Sequence, residues 1–423
     1  MFTYGFPFGI PVERDSAGGY QIKPTFNLIL RLDGDALTGT FGNGRLPLQL
    51  TRGGSFGPKP AAPQHPAAPD PLWSFAMGAG TWAPPVAADG IVYIGTSAGK
   101  FHAVNAADGK GRWTWTGPAG IDGRAVVGGN SVYFVDTRPA LVALDRARGI
   151  ERWSVALHDE NLAGRPSSEN PTFNHRAAYP LLLDGVLYVG SSDGGLYALD
   201  AATGARLWRH DARAPVYSGV GLYEADTLTF GTMDGSVVFL HRRTREETLR
   251  AKTGGGVVTT PVVVGGKVIV GSRDYQLYAF NLADGGIAWR FSYWFSWIES
   301  TPVVRDGLVY VGASDYRRVT AIDPAAGRAK WATEVPGMNW GSPLLTDDTV
   351  FTGTVSQNVP GTVIEHRGGL MAMDRRTGAV KWWLAAPQPV VGAFGGYAGT
   401  LALVDGKVIA AGFDGILVAL PTK

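Results

Sequence analysis

The chain contains no cysteine. That removes disulfides, thiolate metal sites and cysteine nucleophiles together. No apolar run approaches the roughly 18 residues a helix needs to cross a bilayer, so no membrane span is expected. Long helical periodicity is also missing. Neither sign of charge dominates: 38 Lys and Arg against 36 Asp and Glu leave +2. There is no basic stripe and no RNA-binding aromatic signature, and nucleic acid is therefore not an expected partner. The phosphate loop G-x-x-x-x-G-K-[ST], the zinc motif H-E-x-x-H and the EF-hand loop do not occur. The opening stretch MFTYGFPFGIPVERDSAGGY has neither a basic n-region nor a continuous apolar h-region, and it is not read as a signal peptide.

What the chain has in quantity is glycine, 59 residues, and tryptophan, 13. Both are spent on one recurring phrase. Leu187–His210, LYVGSSDGGLYALDAATGARLWRH, reads as strand, Gly turn, strand, Thr-Gly turn, and a strand that opens on a large apolar residue. It returns from Val92, Val132, Leu228, Val268 and Val309, with an interrupted copy from Val350 and a half-copy from Val408. A further β segment precedes each copy, as in Thr260–Lys267, TPVVVGGK. Each unit thus holds four strands. Trp73, Trp113, Trp153, Trp208, Leu249, Trp289, Trp331 and Trp382 mark one position of the unit, at gaps of 40, 40, 55, 41, 40, 42 and 51 residues. Four strands repeated every 40–45 residues or so predict β-propeller blades, and the two long gaps predict insertions.

Three segments follow: a small β module over residues 1–56, a Pro/Ala-rich linker over 57–69, and an eight-bladed all-β propeller over 70–423. Phe26–Arg52 of the module reads as three strands with Asp-Gly and Gly-Asn-Gly turns. In the propeller, Pro71–Phe75 carries the outer-strand Trp without the strands that should precede it. The final copy has inner strands and no Trp strand. Pairing of strand 71–77 with the C-terminal blade would close the ring and remove its sheet edges.

DGGLYALDAATGARLW, DYQLYAFNLADGGIAW and GGLMAMDRRTGAVKW resemble the repeat of the pyrroloquinoline-quinone (PQQ) propellers, a family that holds quinoprotein alcohol dehydrogenases and the outer-membrane assembly lipoprotein BamB. The resemblance covers residues 70–423. Leu249 in place of Trp and Arg245 in place of the turn Gly make the fourth blade degenerate. It implies an eight-bladed fold and a periplasmic or secreted protein. For the dehydrogenases it implies Ca²⁺ held by Glu, Asn and the quinone, an Asp base, and a Trp stacked on the quinone. Glu299, Asp122 and Trp340 are available in those types, with Asn339 and Asn174 nearby. The vicinal disulfide that many of these enzymes carry is impossible here, as is the N-terminal lipid-bearing Cys of BamB.

Candidate sites come from the loops. G-x-S-x-G occurs at Gly53–Gly57, Gly95–Gly99 and Gly190–Gly194, but no helix follows any of them, and a nucleophile elbow needs one. His158 and His175 lie in the insert Leu157–Pro180, and His366 in the insert Thr354–Gly369; both inserts are expected on one face. The residues three places before the innermost-strand Pro are Trp82, Asp122, Ala177, Ser218, Val258, Glu299, Trp340 and Tyr397. They are expected to ring the mouth of the central channel, with His175 and Arg176 beside Ala177. Aromatics and carboxylates in one ring suit sugars, amines or a metal-bound cofactor.

Three functions are compatible with this. The first is a non-catalytic, monomeric, cofactor-free propeller that binds a protein or a small-molecule or carbohydrate ligand through Trp82, Asp122, His175, Arg176, Glu299, Trp340 and Tyr397. The second is a PQQ- and Ca²⁺-dependent dehydrogenase. The third is a polysaccharide-active enzyme such as a lyase, with Tyr397, His175 and Arg176 as base, acid and carboxylate clamp.

Overall fold

The computed structural model describes residues 65–158, 178–294, 296–358 and 366–422, together with the backbone of five strands before residue 52. The chain divides into two compact units. In the first, Glu13–Arg14, Tyr20–Ile22, Leu28–Asp33, Ala36–Phe41 and Leu46–Thr51 form an antiparallel meander in chain order. Two short strands thus precede the three that the turn signals predict.

The second unit is a propeller of eight four-stranded antiparallel blades. Blades 1 to 7 begin at the inner strands Val86–Ala88, Val126–Gly128, Leu181–Leu183, Gly221–Tyr223, Val262–Val264, Val303–Arg305 and Leu344–Leu345. Blade 8 is Ala402–Val404, Lys407–Ala411 and Ile416–Pro421, completed by Trp73–Ala76 from far earlier in the chain. In that pair Trp73 lies opposite Ala419 and Ala76 opposite Ile416. Just upstream, the Trp383 amide donates to the Pro66 carbonyl at 2.9 Å, and Ala67 forms a parallel bridge with Trp383. The end of the linker is therefore docked on the outer strand of blade 7.

The repeat motif has one geometry behind it. The Asp of each phrase caps its own turn: the Asp200 carboxylate accepts the amides of Ala202 and Thr203 and the Thr203 hydroxyl, and Asp374 does the same for Arg376 and Thr377. The turn Gly then sits at positive φ, +70° at Gly149 and +75° at Gly204. The outer-strand Trp of the preceding blade lies flat on that Gly. A Cβ at Gly149 would come within 2.5 Å of the Trp113 indole, so the close approach as well as the φ calls for glycine. The indole N–H donates to the carbonyl that follows the Asp or Asn: Trp113 to Arg146 at 3.0 Å, Trp289 to Pro324 at 2.8 Å, Trp331 to Arg375 at 3.0 Å.

Within its own blade each Trp faces an alanine. Ala143 pairs with Trp153, Ala198 with Trp208 and Ala321 with Trp331, and a bulge follows each pair. Small against large keeps the interblade layers at native density. The degenerate blade 4 keeps the sum by exchange, with Phe239 opposite Leu249, and its Arg245 takes the turn conformation at φ +66°.

Two outcomes follow from this packing. Removal of residues 1–78 deletes the closing strand and should lower the melting temperature sharply, whereas removal of 1–56 should leave the propeller transition in place; thermal unfolding followed by near-UV circular dichroism compares them. Trp331→Ala should cost about 3–5 kcal/mol in chemical denaturation, because it removes a large ring and its hydrogen bond from the blade 6–7 contact.

Candidate functional site

The segments that enter each inner strand converge on one end of the channel. Each folds back onto the loop between the two middle strands of the preceding blade. The Ile121 amide donates to Thr96 O at 2.9 Å, Val216 to Ser191 O at 2.9 Å and Val257 to Thr232 O at 2.9 Å. A glycine lies under each of these residues: a Cβ at Gly95 would strike Ile121, at Gly190 Val216, and at Gly231 Val257. The next residue is thereby pointed at the channel mouth. There a shallow, solvent-open cavity is lined by Trp82, Asp122, Tyr217, Val258, Trp340 and Ala398. A second lining set comes from two places further on: Pro84, Arg124, Tyr179, Thr301, Ser342 and, in blade 8, Thr400.

This settles where the expected ring residues lie. Trp82, Asp122, Val258 and Trp340 reach the cavity. Ser218 does not. It is buried, and its hydroxyl donates to Gly231 O and accepts the Gly231 amide. Its neighbour Tyr217 takes the ring position. Tyr397 does not either: it is buried in the core against Gly353, and burial holds its phenol protonated. Ala398 stands at the mouth instead. Glu299 turns away from the cavity into a buried ion pair, accepting from Arg273 Nε at 2.9 Å and Nη2 at 2.8 Å, while the Arg273 guanidinium lies 4.7 Å from the centre of the Trp297 ring. His175, Arg176 and Ala177 lie outside the described residues, as does Asn174.

One side of the mouth is aromatic. Trp82 and Trp340, from the segments entering blades 1 and 7, lie with ring centres 5.4 Å apart and tilted by 39°. Phe413 stands edge-on to Trp82 at 4.7 Å, and Phe394 at 5.2 Å. All four rings are partly exposed, above buried Met338, Val355 and Ala398. Opposite, the Tyr179 hydroxyl meets Thr260 Oγ1 at 2.7 Å. Its ring lies over Gly219, where any Cβ would overlap it, so it spans from blade 3 across blade 4 to blade 5. The Asp122 carboxylate accepts from the Ser97 hydroxyl at 2.7 Å.

The donor types that a Ca²⁺-held quinone needs are not gathered here among the described residues. Glu299 is engaged with Arg273. Asn339 is fully buried, and its amide donates to Thr352 Oγ1 and Gly353 O at 2.6 Å each.

Eight four-stranded blades carrying one recurring Trp and Gly-turn phrase define the class, an eight-bladed repeat β-propeller. The sequence matches the family described as outer membrane protein assembly factor BamB over residues 66–170, 115–244, 192–294 and 294–423, and the chain belongs to that family. Among curated relatives, the quinoprotein alcohol dehydrogenase PedH of Pseudomonas putida is 32% identical over 132 residues, 26% of this chain and 22% of that one. The outer membrane protein assembly factor BamB of Yersinia pestis is 26% identical over 225 residues, 48% of this chain and 51% of that one. The matched segments thus span about half of these relatives or less. The crystal structure of BamB from Moraxella catarrhalis superposes with a TM-score of 0.55 at 18% identity, covering 79% of this chain and 93% of that one, which shows a shared fold.

Of the histidines in the inserts, His158 is exposed and His366 is buried. Neither ring nitrogen of His366 has a hydrogen-bond partner among the described residues, and burial, with Arg317 adding its charge, pushes the imidazole down to about 4. The unfolded chain takes up this proton near pH 6.5, the folded one only near 4. Its neutrality therefore supports the fold fully above about pH 6.5, and the support is lost as pH falls through that window, by about 3 kcal/mol at pH 4. Denaturation midpoints measured from pH 7 to 4 should fall less steeply in His366→Leu than in the parent.

Proposed function

We propose that this propeller is a non-catalytic binding module, without a cofactor, whose ligand or protein partner docks at the channel mouth and on the insert-bearing face. The observation that carries the reading is the mouth itself. Partly exposed Trp82 and Trp340, with Phe394 and Phe413 packed against them, border a cavity that also receives Tyr179, Tyr217, Asp122 and Arg124. Large apolar rings around a concavity with a few convergent polar groups are the usual composition of a ligand site. The BamB membership supports a protein partner and a periplasmic or secreted location. The protein works as a monomer in this reading.

A second reading is a PQQ- and Ca²⁺-dependent dehydrogenase, favoured by the segment similar to PedH. It ranks second because Glu299 and Asn339 are committed elsewhere and Asp122 already accepts from Ser97. A lyase reading loses its base, since Tyr397 is packed in the core.

Addition of PQQ with Ca²⁺ should produce neither stoichiometric quinone absorbance nor dye-linked alcohol oxidation; uptake with turnover would place the dehydrogenase first. In a screen of glycans, amines, quinones and periplasmic proteins, Trp340→Ala should abolish binding of the hits while shifting the melting temperature far less than Trp331→Ala, because its ring rests on neighbouring rings rather than inside an interblade core. Hits that bind Trp340→Ala as they bind the parent would move the site off the mouth.

A further inference from the structure

Resting on the reading of the mouth as a binding site, we propose the class of its ligand: an acidic sugar, a uronate unit at the end of a glycan or within it. Three features of the lining point the same way. The first is Arg124. It is exposed at the cavity, the cation among its lining residues, and its guanidinium has no carboxylate or carbonyl partner among the described residues. Several arginines elsewhere in the propeller are engaged, Arg146 with Asp89, Arg242 with Asp184 and Asp226, Arg273 with Glu299 and Arg375 with Asp306, but none of these lines the cavity. A guanidinium left unpaired beside a concavity offers a planar fork that fits a carboxylate with two parallel hydrogen bonds.

The second feature is an arc of hydroxyls from consecutive blades. Thr301, Ser342 and Thr400 line the cavity from the segments entering blades 6, 7 and 8. Two of them are oriented by the backbone. Thr301 Oγ1 accepts the Thr260 amide at 3.1 Å, and Thr400 Oγ1 accepts the Ser342 amide at 3.0 Å. Each hydroxyl proton is then left to donate, with no acceptor among the described residues. Donors held at intervals around a wall match the ring of oxygen acceptors on a sugar better than the one or two polar atoms of an amino-acid side chain. Tyr179, fixed to Thr260, and Tyr217 extend this polar wall past blade 4.

The third feature is the aromatic side. The C–H face of a pyranose lies flat on an indole, and Trp82 with Trp340 offers such a platform directly beside the hydroxyl arc. A neutral sugar would use the platform and the arc and give Arg124 hydroxyl oxygens in place of a charged acceptor, which makes the weaker bond. A peptide carboxylate would use Arg124 and leave the arc largely unsatisfied. A ligand that is both polyhydroxylated and carboxylated suits all three best.

Titration calorimetry with trigalacturonate, the neutral trisaccharide galactotriose and PQQ alone tests this. Trigalacturonate should bind at least tenfold more tightly than galactotriose at low ionic strength, and 0.5 M NaCl should erode that difference. Arg124→Gln should bring the two sugars to within about twofold of each other, and Trp340→Ala should remove binding of both. Equal binding of both sugars by the parent overturns the acidic class while leaving the mouth as the site. Sugar binding that survives both substitutions overturns the class and the site together. Arg124-dependent binding of PQQ in the absence of sugar binding replaces the uronate by a flat polycarboxylate. No binding of the three probes overturns the inference, and the mouth is then judged by the ligand screen with Trp340→Ala alone.

Discussion

Everything in the propeller depends on one contact: an indole laid on a glycine across the boundary between two blades. A four-stranded sheet of this size has two apolar faces and cannot bury them alone. The Trp of one blade reaches the Asp-capped turn of the next, fills the gap above its Gly, and gives its N–H to a carbonyl that would otherwise be bare. One side chain thus supplies buried area, a hydrogen bond and an angular reference between neighbouring sheets. Repeated around the ring, it sets how far each blade is turned from the last, and so how wide the channel is and where the mouth loops stand. Blade 4 shows how much of this is volume. With Leu249 against Gly285 and Phe239 in place of the small partner, the layer stays closed although the indole hydrogen bond is lost.

The fold was legible because each motif residue carries its own geometry. Asp needs amides to cap, Gly needs a positive φ, and a large ring at 40-residue spacing needs a neighbour; those demands meet only in stacked blades. The mouth was half legible. Alignment on the inner-strand Pro placed Trp82, Asp122, Val258 and Trp340 at the cavity. It slipped by one at blades 4 and 8, where Val220 and Leu401 stand in the Pro position. In extended chain a slip of one residue turns a side chain to the opposite face. Hence Tyr217 and Ala398 line the mouth, and Ser218 and Tyr397 face inward. Glu299 was the right residue type with an unseen partner. Arg273 lies 26 residues earlier, in a loop of the preceding blade, and no local spacing announces the pair. Arg124, Tyr179 and the hydroxyl arc were missed because their direction is decided by the turn of the loop backbone.

The family relations make sense on this frame. The blades of a scaffold protein and of a dehydrogenase face the same packing problem and solve it with the same residues, so similarity concentrates in the repeat. The matched stretches report on that shared solution. What differs between members is what the loops hold above the channel, and among the described residues of this chain they hold rings, hydroxyls and the Arg124 guanidinium rather than a gathered set of carboxylates.

The eighth blade has a consequence in time. Its outer strand, Trp73–Ala76, is made early and its partner, Ile416–Pro421, late. At ribosomal rates of about 5–20 residues per second, the two are separated by roughly 20–70 s of synthesis. During that interval blades 1 to 7 can form in order, each docking on the one before, while the first strand has nothing to pair with. The growing arc therefore exposes two unpaired blade faces until the last hairpin arrives, and the search that joins them spans almost the whole propeller. Locally stacked repeats make the early steps fast; the single pairing of highest sequence separation makes the final one slow. An emerging chain of this kind has reason to meet a chaperone before its ring closes.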